Sequence, residues 1–154
     1  MRKKIFIANK TKDKLPSLSF IDVKNDILGE QYSLSIACVS ENKSREINKK
    51  YRKKDKATNV LSFSLRKNEG EIILCPAMIK REAKSFSKIF DQFLNLLVIH
   101  GMLHLKGMKH SSTMERTEKF YSKKYDKEYF SGNRRRLLND KSRGGRVFKR
   151  RKKS

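Results

Sequence analysis

Apolar and polar residues change their spacing repeatedly between Ile5 and Phe130, and each change marks an element. Ile5-Phe-Ile-Ala is a short apolar run that predicts a first strand. From Ser17 to Gly29, residues Leu18, Ile21, Ile27 and Leu28 recur at roughly helical spacing, and Gly29 suits the helix stop. Tyr32, Leu34, Ile36 and Cys38 alternate with smaller residues and predict a second strand. Ser40 can cap a helix running to about Tyr51, with Ile47 and Tyr51 on one face. After the polar loop Arg52 to Thr58, Asn59-Val-Leu-Ser-Phe-Ser-Leu and Gly70-Glu-Ile-Ile-Leu-Cys predict two strands joined by a turn around Asn68 to Gly70.

Pro76 suits the first turn of a helix through about Ile89. Asp91 then caps a helix through about Lys106 that is apolar on nearly every side, so it belongs at the centre of the fold, with Gly107 placed to end it. Ser112-Thr-Met-Glu115 is a capping box opening a last helix to about Phe130. The order βαβαββααα predicts an α+β domain, a small mixed sheet packed with helices, over residues 1–132. Beyond Gly132 the pattern fails, and residues 133–154 predict a basic, disordered tail.

Charge changes the picture. The chain carries 39 Lys plus Arg against 16 Asp plus Glu, a net +23. The tail alone does not account for it, because residues 134–154 hold 11 basic residues and one acid, leaving +13 on the rest. So much like charge opposes compaction unless a polyanion neutralises it, which points to nucleic acid or the ribosome. No apolar run is long enough to span a bilayer and nothing at the start reads as a signal peptide, so a cytoplasmic protein is expected. Cys38 and Cys75 lie in apolar runs and read as small buried hydrophobes without chemistry.

The candidate chemistry lies in the histidines. All three of the chain's histidines fall in His100-Gly-Met-Leu-His104-Leu-Lys-Gly-Met-Lys-His110. His100 and His104 are four apart on the central helix, so their rings project from one face a turn apart. Gly107 lets the chain leave the helix and turn, so that His110 can return to the same point. Three imidazoles fill three corners of a tetrahedron and leave the fourth open, the mark of a catalytic rather than a structural zinc site, so one Zn2+ per chain is expected. A zinc protease of the H-E-x-x-H type needs Glu after the first His as its general base, and here that position is Gly101.

The histidine segment resembles the H-G-x-L-H-L-x-G-Y-D-H motif of the YbeY family of metal-dependent endoribonucleases. Asn48-Lys-Lys-Tyr-Arg52-Lys-Lys-Asp55-Lys-Ala-Thr58-Asn59-Val-Leu-Ser-Phe63 resembles that family's N-x-x-Y-R-x-x-D-x-x-T-D/N-V-L-S-F segment, and Gly70-Glu-Ile-Ile-Leu-Cys75-Pro76 its G-D-I-x-I-C-P strand. The resemblance implies a zinc-hydrolase-like fold with His100, His104 and His110 as metal ligands. It also implies single-strand-specific RNA cleavage in maturation of the 16S rRNA 3′ end and in ribosome quality control, with rRNA and the small ribosomal subunit as partners. Arg52 and His100 become the expected catalytic residues, Arg52 as a guanidinium that holds the scissile phosphate. Asp55, Thr58 and Asn59 are expected to order the loop before the strand.

This chain departs from the family pattern at Lys109, which stands where the motif has Asp, and at Met108, Glu71 and Ser64. A carboxylate at position 109 could have oriented a ligand or a water, and Lys109 cannot. The alternative from a different class is a ribosome-associated RNA-binding assembly factor whose zinc is mainly structural. The sequence leaves the oligomeric state open.

Overall fold

The computed structural model describes residues 4–15 and 20–139, with side chains as far as 126. Its elements follow the predicted order: β1 (Ile5–Asn9), α1 (Ile21–Leu28), β2 (Ser33–Cys38), α2 (Glu41–Arg52), β3 (Val60–Arg66), β4 (Glu69–Leu74), α3 (Pro76–Ser85), α4 (Phe90–Lys106) and α5 (Ser112–Asn139). The four strands form one mixed sheet in the order β1-β2-β4-β3. The pairs β1–β2 and β2–β4 are parallel and β3–β4 is antiparallel, which leaves β1 and β3 at the edges.

Alternation along β4 divides the core. Ile72 and Leu74 belong to the large cluster that includes Leu34, Ile36, Leu94, Ile99 and Met102, whereas Ile73 belongs to a small one with Val39 and Leu61, packed by Ile47 of α2. Successive strand residues point to opposite faces, so α4 covers one face of the sheet and α2 part of the other. Along α4, Phe93, Leu94, Leu97, Val98, Ile99, Met102 and Leu103 are buried, as its largely apolar composition predicts.

Several element ends differ from the sequence reading, each for a local reason. The helix expected to reach Ile89 stops at Ser85, because Ser87 is left-handed (φ 54°) and the Lys88 N–H folds back to the Ala83 carbonyl. The next helix starts after Ile89 rather than at an Asp91 cap; Gln92 Oε1 accepts from the Ile89 N–H, and Asp91 lies in the first turn. Ser111 rather than Ser112 caps α5, its Oγ accepting from the Met114 N–H at 3.1 Å. That helix does not stop near Phe130 but passes Gly132 to Asn139. One glycine costs a helix about 1 kcal/mol, and the Arg134-Arg-Arg-Leu-Leu138 run consists of good helix formers. The rest of the predicted tail, 140–154, lies outside the described residues.

Cys38 and Cys75 are free and buried, and burial pushes the Cys38 thiol up to about 11, so it stays protonated. Among the described residues, no helix is long and apolar enough to cross a membrane.

Candidate metal centre

The end of α4 is built to turn. Gly107 adopts φ 107°, a conformation that side chains rarely allow. The Gly107 N–H then bonds to the His104 carbonyl at 2.9 Å and the Met108 N–H to the Leu103 carbonyl at 3.0 Å, a Schellman motif. This turn does two things for the histidines. It brings the Met108 carbonyl to 3.0 Å from His104 Nδ1, and it sends the chain back so that His110 rejoins the other two rings.

The ligand nitrogens of His100, His104 and His110 lie within 4.8 Å of one another. A carbonyl can only accept, so His104 Nδ1 carries the proton that reaches Met108, and the neutral ring's lone pair is on Nε2. His100 Nδ1 lies 2.5 Å from Glu118 Oε2, and an ionised carboxylate likewise accepts. With both Nδ1 atoms so engaged, the two Nε2 atoms face each other, 3.1 Å apart. Two neutral imidazoles so placed would turn two lone pairs on one point, which a cation between them relieves, and a third imidazole is at hand. The donor set fits a divalent cation with three nitrogen ligands.

Burial, and then the neighbouring His100, hold the His104 imidazole below its ordinary value. Charge from His110 and Arg52 adds to this against the opposing Met108 carbonyl, so the ring stays neutral and ready to ligate. His110 is exposed, which leaves the site accessible from that side.

Gly101 has a packing reason. A Cβ there would sit 3.0 Å from Ile72 Cδ1, so the glycine lets α4 lie against β4. A glutamate at this position would point into the sheet rather than towards the three imidazoles.

Arg52 ends α2, where Lys53 closes the helix in the left-handed region (φ 60°). Its Nη2 donates to the Ser62 carbonyl of β3 at 3.1 Å and its guanidinium carbon lies 5.7 Å from the centroid of the Phe63 ring. One of five donors is thereby used, and the side chain is exposed. The residues expected to order the adjoining loop do so. Asp55 accepts from Arg45 at 2.7 Å, the Thr58 backbone exchanges two bonds with the buried Ser44 hydroxyl, and Asn59 donates to Glu82 at 2.6 Å.

Glu118 was missed by the sequence reading. Met114, Tyr121 and Tyr125 pack on the core from α5, and Glu118 falls in the same stripe, one turn after Met114. An acid on the packed face of a helix is the signal that could have found it. It supplies to His100 the carboxylate that Lys109, exposed on the turn, cannot. Met108 takes part through its backbone, so its side chain is free to differ.

The model of the family described as endoribonuclease YbeY matches residues 6–128. Among curated proteins, the endoribonuclease YbeY of Staphylococcus saprophyticus is 35% identical over 120 residues, covering 70% of this chain and 76% of that protein. The protein of the same name from Thermodesulfovibrio yellowstonii is 38% identical over 117 residues, covering 71% and 70%. Among solved structures, the solution structure of TM1509 from Thermotoga maritima aligns with a TM-score of 0.59 at 28% identity, over 83% of this chain and 93% of that one.

Proposed function

Because the chain belongs to the endoribonuclease YbeY family, we propose that it is a zinc-dependent endoribonuclease that cuts single-stranded RNA, acting in maturation of the 16S rRNA 3′ end and in ribosome quality control. The observation that carries the metal part is the convergence of three histidine nitrogens within 4.8 Å, with the Nε2 atoms of His100 and His104 3.1 Å apart and each ring held by a partner on its Nδ1. The RNA part rests on the family and on the net charge of +23.

In this reading His100, His104 and His110 hold the metal. A zinc ion there supplies a concentrated positive charge that polarises a phosphate oxygen and favours a nucleophile at neutral pH. Glu118 holds the proton on His100 Nδ1, fixing the tautomer and making the ring a better donor. Arg52 takes oxygens of the scissile phosphate and stabilises the charge that grows on them in the transition state. Residues 1–132 carry this chemistry, and the basic residues of 133–154 add sequence-independent affinity for RNA. The place of action is the cytoplasm, on the small ribosomal subunit.

The test is cleavage of a single-stranded rRNA fragment by the full chain. The wild type cuts, a chelator stops it, added zinc restores it, and His100→Ala is inactive. If RNA is bound but never cut, and the chelator unfolds the protein, the RNA-binding assembly factor with a structural metal is the better reading.

A further inference from the structure

Helical spacing puts Tyr51 on the same face as Ile47, yet only Ile47 packs on the core; Tyr51 is 57% exposed. It occupies the last turn of α2, next to Arg52, and its ring meets Phe63 of the edge strand β3 with centroids 5.4 Å apart at 64°. Lys50 Nζ is 5.2 Å from the Tyr51 centroid and the Arg52 guanidinium 5.7 Å from that of Phe63. An exposed aromatic braced by a second ring, with a cation on each side and a phosphate-binding arginine as neighbour, has the parts that an unstacked base and its backbone need.

We propose that Tyr51, braced by Phe63, is a stacking site for one unpaired base of the RNA substrate, with Lys50 and Arg52 on the adjoining phosphates. The inference rests on the RNA-cleaving reading and deepens it, by giving a structural source for a preference for single strands. Bases in a duplex are already stacked on one another and cannot reach Tyr51 without unpairing. Every base has a π-face, so the site selects for an unpaired nucleotide and not for a sequence.

The chain has no tryptophan, so Tyr51→Trp introduces a single tryptophan reporter into it. Titration with a short single-stranded RNA should quench it, whereas the same backbone made abasic, or paired into a duplex, should not. Tyr51→Ala should bind the single strand roughly tenfold or more weakly, while Tyr51→Phe binds as the wild type does. Equal quenching by the abasic strand, or unchanged affinity of Tyr51→Ala in a protein that still cuts RNA, overturns this inference alone. A wild type that neither binds nor cuts RNA overturns it together with the functional reading.

Discussion

Glu118 Oε2 and His100 Nδ1 lie 2.5 Å apart, joining α5 to the metal centre on α4. Neither side chain is fully buried (20% and 26% exposed), so the contact is held by the packing of the two helices around it. A carboxylate behind a histidine fixes which nitrogen faces the metal. Replacing Glu118 by Ala should weaken metal binding about 10–100-fold, measured by competition with a chelator of known affinity. Glu118→Gln keeps an acceptor but not the charge and should fall between. Affinity unchanged in both variants would leave Glu118 a packing residue.

Arg52 acts on a different ligand and should separate cleanly from the histidines. Arg52→Ala should keep its metal and its fold yet lose about 10²–10³ in kcat, the usual cost of a transition-state donor. Arg52→Lys should recover little, since an ammonium cannot match two phosphate oxygens at once. Metal analysis beside a cleavage assay checks both halves.

Gly101 is held by sterics. Gly101→Ala places a Cβ 3.0 Å from Cδ1 of the fully buried Ile72, an overpacking that costs about 1–3 kcal/mol against about 1 kcal/mol gained in helix propensity, so a net loss of up to about 2 kcal/mol should be read from a denaturant midpoint. Introducing the glutamate of an H-E-x-x-H site at this position should unfold the centre of the protein and yield no peptidase.

The contact between α1 and α5 predicts a pH dependence. A hydrogen bond from Lys124, and then one from Tyr125, hold the Asp26 carboxyl below its ordinary value of 3.8. A depressed folded-state value means that the contribution is present above the unfolded value and is lost as pH falls through the folded one. Asp26→Asn should therefore lower stability at pH 7 by about 0.2–1 kcal/mol, the range for a half-exposed pair, and the difference should fade below about pH 4. Thermal melts of the two proteins across that range check it.

The element order, the central helix and the three histidines were legible because each is a matter of spacing along the chain. His100 and His104 need only the helical period, and His110 only a glycine at the turn. Glu118 is 18 residues from His100 and belongs to another helix, so only the packing of α5 on α4 reveals it. Lys24 was hidden for a similar reason. It is fully buried, donating to the carbonyls of Gly29, Glu30 and Tyr32, although lysine is ordinarily a surface residue. Helix ends were misplaced where backbone geometry decided, as at the left-handed Ser87 and the Ser111 cap.

Elemental analysis of the purified full chain decides whether His100, His104 and His110 hold one metal ion. The wild-type chain should carry about one zinc and His104→Ala almost none, because that substitution removes the nitrogen facing His100 Nε2. A wild-type protein that remains metal-free after incubation with zinc, or a His104→Ala variant that retains a full equivalent, would rule out a three-histidine metal centre.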